Sequence, residues 1–171
     1  MKIVKILYNI LVNIRVPFYN FVAKIQVKRM GEACRFHKVC RLTNLTEIGN
    51  NCHFNGIEIN GKGRCIIGNN FHSGKNVFIY TSDHNYNFGS KIPYDDSFIK
   101  EDVIIEDNVW VGTGVIILKG TVLREGCIIQ AGSVVTGEIP KGAIAGGHPA
   151  IIFAKRDINH YEELKSKGAF Y

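Results

Sequence analysis

A six-residue repeat is the feature of this sequence that most restricts its fold. From Ile99 the chain reads in consecutive hexads, and the first residue of each hexad is Ile, Leu or Val. These first positions are Ile99, Ile105, Val111, Ile117, Leu123, Ile129 and Val135. The fifth position is small or β-branched in every complete hexad, and the fourth is Gly in four of six. A short fixed period over this length is typical of a solenoid.

The hexad has a simple physical interpretation. Each hexad is predicted to form a short strand and a tight turn, with its aliphatic first residue pointing inward and Gly supplying the corner. Three hexads then make one triangular coil of about 18 residues, and coils stack with like positions above one another. Ile99, Ile117 and Val135 are expected to share one column. The sequence therefore predicts an all-β fold, a parallel β-helix.

The repeat extends toward the N-terminus but is less regular there. Hexads that begin at Leu42 and Ile48 have one phase, and those that begin at Ile67, Ser73 and Ile79 have another. A one-residue slip must therefore be absorbed within residues 56–63. The hexads stop between His84 and Ile99, which predicts a protruding loop at 85–98. Insertions in a solenoid commonly carry its function.

The N-terminal residues have a different pattern, so we divide the chain into a helical extension at 1–30, a β-helix at 31–150 and a tail with a short helix at 151–171. Two apolar stripes at helical spacing occur before residue 30, with Pro17 predicted to break the helix between them. No Asp or Glu precedes Glu32. The extension is interpreted as a cap packed on the β-helix or as a helix on an anionic membrane surface, and the cap is preferred. The stripes are Ile6, Leu7, Ile10, Leu11 and Ile14, then Phe18, Phe21, Val22 and Ile25.

Charge and cysteine content limit the partners and the compartment. The net charge of +6 favours an anionic partner. Nucleic acid is disfavoured, because many of the basic residues lie in the extension rather than among aromatic residues that stack on bases. The five cysteines include no Cys-x-x-Cys pair, so neither a disulfide framework nor a metal site is predicted. A reducing cytoplasm is the expected compartment.

The residues just before each aliphatic anchor are expected to point out of the β-helix. All six are apolar, which is too much apolar surface to face water. We therefore expect other subunits or the terminal helices to cover these faces, and a triangular prism suits a trimer. The six residues are Ile104, Trp110, Ile116, Val122, Ile128 and Val134.

Motifs in a fixed order across residues 45–156 resemble those of a known family. They are Thr81-Ser-Asp-His-Asn-Tyr, Asn108-Val-Trp-Val-Gly, Ile129-Gln-Ala-Gly-Ser-Val-Val-Thr, Glu138-Ile-Pro and Ala145-Gly-Gly-His-Pro-Ala. With them the sequence resembles the hexapeptide-repeat O-acetyltransferases, which include galactoside, maltose and polysaccharide acetyltransferases. The resemblance implies a left-handed parallel β-helix and a homotrimer with active sites between subunits. It also implies acetyl-CoA as acyl donor and a hydroxyl of a sugar or polysaccharide as acceptor.

The resemblance assigns roles to single residues. His84 matches the catalytic base of the family, and Trp110 matches the tryptophan that lines the thioester end of the donor. The remaining acetyl-CoA contacts are assigned to Thr113, Ala131, Thr136, Lys155 and Arg156. The acceptor is assigned to Asn55, Asp83 and Tyr86. The family often has a lysine after the threonine matched by Thr136, whereas this chain has Gly137, which removes one expected phosphate contact.

The chemistry of acetyl transfer fits a histidine. A base must take the proton of the attacking hydroxyl, and imidazole titrates near neutral pH. No serine or cysteine lies in a recognisable nucleophile motif, so direct attack in a ternary complex is expected. A backbone carbonyl, rather than Asp83, is expected to orient His84. Two alternatives stay open: an N-acetyltransferase acting on an amino sugar, and a non-catalytic β-helix that binds a surface or partner.

Overall fold

The hexads form a parallel β-solenoid with three faces, and the computed structural model describes it for residues 2–171, with side chains from residue 14 onward. The first face contains β1 (Arg29–Met30), β3 (Thr46–Ile48), β6 (Cys65–Ile67), β11 (Val103–Ile105), β14 (Val122–Leu123) and β17 (Glu138–Ile139). The second contains β2 (Arg35–Phe36), β4 (His53–Phe54), β7 (His72–Ser73), β12 (Trp110–Val111), β15 (Ile128–Ile129), β18 (Ala143–Gly147) and β19 (Ala150–Lys155). The third contains β5 (Ile57–Asn60), β8 (Val77–Tyr80), β13 (Ile116–Ile117) and β16 (Val134–Val135). The predicted parallel β-helix is confirmed.

The aliphatic anchors of the hexads form the core, as the repeat predicts. Ile105, Ile117, Leu123 and Ile129 are buried, and each lies in register with the equivalent residue of a neighbouring coil. Aromatic residues fill the wider N-terminal coils, where the rings of Phe36 and Phe54 stack with centroids 4.4 Å apart. Burial of these columns is the main force that holds the coils together.

Coil length changes where the sequence predicts a slip. Ile104 pairs with Val122, eighteen residues on, in the regular coils. In the earlier coils Glu47 pairs with Ile66, nineteen residues on, and Ile57 pairs with Val77, twenty residues on. The four-residue strands β5 and β8 and the turn at 61–63 absorb the extra residues.

Ile99 does not join the column predicted for it. It belongs to β10 (Phe98–Lys100), which pairs antiparallel with β9 (Ser82–His84), and it lies opposite Asp83. Ile79 takes the predicted place and pairs with Ile117. The hexad phase continues through Ile99 in sequence, but the chain is still returning from the protruding loop there, so the first coil-forming hexad after the loop begins at Ile105.

The N-terminal extension is a single helix, α1 (Lys2–Gln26), and the predicted break at Pro17 is wrong. Pro17 lies inside the helix and is exposed, and a proline can be accommodated where its ring faces solvent and one backbone hydrogen bond is given up. The end of α1 closes the open end of the solenoid. Its side-chain amides bind backbone groups of the first coil: Asn20 accepts from the Phe36 amide at 2.9 Å, and Gln26 accepts from the Leu42 amide at 2.9 Å.

A hairpin and a helix close the other end. β19 pairs antiparallel with β18, and α2 (Ile158–Ser166) follows, with the Asp157 side chain accepting a hydrogen bond from the His160 amide as N-cap. Both ends of the solenoid are thus covered by structure of another kind, which protects the edge strands from pairing with other chains.

Across the described part of the chain, no helix is long and apolar enough to cross a membrane.

Candidate functional site

The hairpin that carries His84 projects where the third face ends. β8 leads into Thr81, which is buried, and the chain then leaves the solenoid through β9 and returns through β10. His84 is the last residue of β9 and lies opposite Phe98. Its imidazole stacks on Tyr94, with centroids 3.7 Å apart, and contacts Phe98 at 4.6 Å. The loop therefore folds back onto the ring and fixes its plane.

The hydrogen bonding of His84 differs from the prediction. Its Nδ1 atom is buried and has no hydrogen-bond partner among the residues with described side chains. The predicted orienting backbone carbonyl is therefore wrong, and aromatic stacking holds the ring instead. Asp83 is exposed and its neighbour on the opposing strand is Ile99, so it does not orient His84 either. A buried polar atom without a partner costs about 1–3 kcal/mol.

A carboxylate organises the loop beyond His84. Asp95 accepts hydrogen bonds from the amide and hydroxyl of both Ser90 and Ser97. These bonds, that of the Ser97 hydroxyl first, hold the pKa of Asp95 well below its usual range. Tyr86 is exposed at the start of the loop, two residues after His84. These four hydrogen bonds connect Ser90, Asp95 and Ser97 within the loop, outside the core.

A groove along one corner of the solenoid brings together three of the predicted acetyl-CoA residues. The groove encloses about 430 Å³ and lies where the second face turns toward the third. Trp110 forms one wall, and Thr113 and Ala131 lie in successive coils along the corner. A Cβ atom on Gly112 would lie 2.5 Å from the Ala131 amide, so glycine is what lets the coils approach so closely at this point.

A second cavity adjoins the other side of Trp110. It encloses about 340 Å³ between the second face and the C-terminal segment. Trp110 is 53% exposed and lines both spaces. The cavity walls also include Asn70, His72, Arg156, Tyr161 and Tyr171. A flat aromatic residue that lines two adjoining and mainly apolar spaces suits a long ligand that passes across it.

The remaining donor residues are divided between other places. Arg156 lines the 340 Å³ cavity, and its Nε donates to the Gly126 carbonyl at 2.7 Å while the guanidinium lies 5.6 Å from the Tyr161 ring. Lys155 ends β19 and is exposed. Thr136 follows β16, at the corner where the third face ends, and is also exposed. Thr136 therefore lies on the corner of the His84 hairpin, away from Thr113 and Ala131.

Asn55 is held by the neighbouring coil. Its Nδ2 donates to the Ser73 carbonyl at 2.8 Å, and its backbone amide donates to the Ser73 hydroxyl at 3.3 Å. It lies one turn below Gly74, which lines the 430 Å³ groove. The amide nitrogen is thus engaged in the fold. The side-chain oxygen has free capacity to accept a hydrogen bond from a ligand.

No residue of the His84 hairpin lines either cavity among the described side chains. β9 continues from the third face, whereas Trp110 lies on the second face. One chain therefore presents the candidate base at one corner and the candidate donor groove at another. The two can act together only if the groove of one copy faces the hairpin of another.

Sequence reasoning missed a column of polar side chains beside Trp110. The rings of His53 and His72 stack with centroids 4.4 Å apart, and His72 lies in register with Trp110. Burial, together with the charges of His72, His37 and Arg35, lowers the pKa of His53 to about 4. Nineteen residues separate His53 from His72 in sequence, which is the length of one coil in this region. The repeat period could therefore have predicted that the two histidines lie above one another.

A second missed feature is the asparagine corner under α2. Asn51, Asn70 and Asn108 have positive φ angles of 54° to 61° and form a hydrogen-bonded ladder. Asn108 donates to the Tyr161 hydroxyl at 2.9 Å, which connects the ladder to α2.

Within the range of described side chains, no group of three His, Cys, Asp or Glu residues has the arrangement of a metal site.

Comparison with known proteins agrees with the repeat and the fold. The family model described as bacterial transferase hexapeptide, six repeats, matches residues 102–137. No curated protein matches the chain closely enough to count as a relative. Among solved structures, a hexapeptide-repeat acetyltransferase from Vibrio cholerae, complexed with acetyl-CoA, superposes with a TM-score of 0.68 at 23% identity, covering 77% of this chain and 73% of its own.

Two further solved structures have the same architecture. A galactoside acetyltransferase in complex with coenzyme A has a TM-score of 0.67 at 23% identity, with 80% of this chain and 70% of its own covered. A maltose O-acetyltransferase from Clostridium difficile has a TM-score of 0.55 at 29% identity, with 77% and 70% covered. These comparisons confirm the predicted resemblance to the hexapeptide-repeat acetyltransferases.

Proposed function

We propose that this chain, which carries the hexapeptide repeat of bacterial transferases on the fold of the hexapeptide-repeat acetyltransferases, moves an acetyl group from acetyl-CoA to a hydroxyl of a sugar or polysaccharide. The observation that carries the proposal is the 430 Å³ groove, because it gathers Trp110, Thr113 and Ala131. The resemblance assigns these three residues to the donor independently of the fold.

The donor lies along this corner in the proposal. Trp110 packs against the thioester end, and backbone and hydroxyl groups at Thr113 and Ala131 hold the pantetheine arm. The cationic tail residues Lys155 and Arg156 meet the phosphates, and Thr136 contacts the arm. Because Arg156 lies across Trp110 from Thr113 and Ala131, and Thr136 lies on another corner, Arg156 and Thr136 reach the donor bound to a neighbouring copy. Arg156 is partly engaged with Gly126, so its phosphate contact uses the guanidinium nitrogens that remain free.

His84 acts as the general base. Its imidazole takes the proton from the acceptor hydroxyl as the hydroxyl oxygen attacks the thioester carbonyl, and the tetrahedral intermediate then expels the CoA thiolate, which takes up a proton. The stacked Tyr94 holds the ring plane during this exchange. Tyr86 and Asp83, exposed beside His84, and Asn55 contact the acceptor.

The site forms between copies in a homotrimer. His84 and the donor groove occupy different corners of one chain, and a three-fold arrangement of triangular prisms brings a corner of one copy beside a different corner of the next. The exposed apolar residues Trp110 and Phe153 beside the groove support such contact.

The five cysteines are free thiols, all buried, which supports a reducing cytoplasm as the compartment.

An acceptor screen tests the function. The protein is incubated with acetyl-CoA and panels of sugars, oligosaccharides and amino sugars, and the release of free CoA thiol is followed. Acetylation of a hydroxyl acceptor that requires His84 supports the proposal. Acetylation confined to amino groups contradicts the O-acetyl assignment, and failure to bind acetyl-CoA at all favours a non-catalytic β-helix.

A further inference from the structure

The face of α1 that points away from the solenoid is apolar and exposed. Ile14, Phe18, Phe21 and Ile25 are 67%, 60%, 64% and 68% exposed. Their spacing of four, three and four residues places them on one line along the helix. In the sequence the same spacing continues backward through Ile10, Leu7 and Ile3. This set of four exposed residues is the outer stripe.

The solenoid uses the opposite face of the same helix. Ala23 is 2% exposed and packs in the core, and Asn20 and Gln26 bind backbone groups of the first coil. The stripe Phe18, Phe21 and Ile25, which the cap interpretation places against the β-helix, therefore lies on the outside. The helix does cap the solenoid, but through different residues, and its outer stripe is left without a partner among the described residues.

Basic residues border the outer stripe on both sides. At 100° per residue, Arg15 and Lys24 lie roughly 90° to either side of the stripe centre. Both are exposed, and neither forms an ion pair with a described side chain. Lys28 and Arg29 follow the helix and share Glu47. No acidic residue precedes Glu32.

We propose that the outer stripe of α1 lies in the interface of an anionic lipid bilayer, with Arg15 and Lys24 reaching the headgroups. An apolar stripe flanked by cations, on a helix parallel to the surface, is the arrangement that binds such an interface. Phe and Ile enter the boundary of the acyl chains, while the basic residues are attracted by the negative surface potential. The interaction does not depend on the acetyltransferase function.

Charge distinguishes the bilayer from a second copy of the chain. Pairing two outer stripes would place Arg15 and Lys24 of both copies together, with no Asp or Glu before Glu32 to neutralise them. Like charges at such a seam oppose association. An anionic surface turns the same charges into attraction. It also places the capped end of the solenoid toward the bilayer.

Vesicle flotation of the full-length protein tests the proposal. The vesicles contain phosphatidylglycerol and phosphatidylcholine at about one to three, with pure phosphatidylcholine as the neutral comparison. Phe18→Ser with Phe21→Ser removes half of the outer stripe and is expected to lower partitioning by about a hundredfold. The matched control is Phe88→Ser with Ile92→Ser, which removes two even more exposed apolar residues from the loop and leaves partitioning unchanged.

A second pair of variants isolates the charges. Arg15→Gln with Lys24→Gln is expected to lower partitioning onto the anionic vesicles by about thirtyfold, whereas Lys91→Gln with Lys100→Gln has little effect. Raising salt to about 0.5 M should weaken binding of the parent. Absence of binding to anionic vesicles at low salt overturns the proposal, as does equal binding to neutral vesicles. A second copy covers the outer stripe instead if two results occur together: the parent does not bind vesicles, and the Phe18/Phe21 variant loses self-association in sedimentation.

Discussion

His84 and Tyr94 stack with their ring centroids 3.7 Å apart and their planes 21° apart. They are ten positions apart in sequence, so the loop must fold back on itself to make this contact. Asp95, directly after Tyr94, secures the fold by accepting hydrogen bonds from Ser90 and Ser97. The proposed base is therefore held by the insertion that interrupts the repeat, and not by the solenoid itself.

Replacing His84 tests its role as base. His84→Ala is expected to lower kcat by at least about a hundredfold, because general base catalysis contributes at least that much. Stability should change little, since the ring lies outside the core. His160→Ala, an exposed histidine on α2, is the control and should keep full turnover. Equal turnover by the His84 variant, with a folded protein by circular dichroism, removes His84 from the mechanism.

Filling the groove tests the donor site. Ala131→Trp places a large ring beside Trp110 and Thr113, and we expect the Kd for acetyl-CoA to rise at least about tenfold. Val39→Trp, at an exposed position near the capped end, is the matched control and should leave the Kd unchanged. Calorimetric titration gives both values. An unaltered Kd for the Ala131 variant means that the donor binds elsewhere.

The corner beneath α2 makes a glycine essential at one position. Gly126 has φ +67°, and a Cβ there would lie 2.8 Å from the Tyr161 ring. Gly126→Ala should therefore cost more than the roughly 1–2 kcal/mol that the backbone conformation alone imposes. Gly114→Ala has a similar φ of +71° with open space around it, so it measures the conformational cost by itself. Denaturant unfolding that gives equal losses for the two variants contradicts the packing argument.

The histidine column makes stability depend on pH. His53 has a pKa of about 4 in the fold, against an ordinary value near 6.5 once unfolded. Between these values the unfolded chain binds more protons, so stability is unaffected above about pH 6.5 and falls as pH decreases toward 4. His53→Gln should flatten this part of the melting-temperature profile. His160→Gln should leave it as in the parent, and an unchanged profile for the His53 variant would reject the account.

The period of the sequence predicted the solenoid because each hexad contains the residues that one strand and turn require: an aliphatic residue for the core, a small residue beneath the corner and a residue that can form the corner. It failed at Ile99, where the correct residue type occurs in the correct phase but the chain is still in the loop hairpin. The break predicted at Pro17 was also wrong. Proline destabilises a helix interior locally, but the remaining residues of α1 outweigh that cost.

The candidate site was predictable only in part. Trp110, Thr113 and Ala131 meet because coils stack in register, which follows from the repeat. The stacking of Tyr94 on His84 depends on an aperiodic loop, and no spacing rule leads to it. The outward orientation of Phe18 and Phe21 was likewise hidden, because both faces of α1 have apolar residues and only the docking through Asn20, Ala23 and Gln26 decides between them.

The most direct test of the account mixes two inactive chains. His84→Ala and Ala131→Trp subunits are coexpressed with different tags, and mixed assemblies are purified through both. A site shared between copies leaves one of the three interfaces of every mixed trimer with an intact His84 facing an intact groove, so mixed assemblies purified through both tags should recover about a third of the parent turnover. Mixed assemblies that form and stay as inactive as either variant alone would contradict the account, because the base and groove would then have to act within one chain.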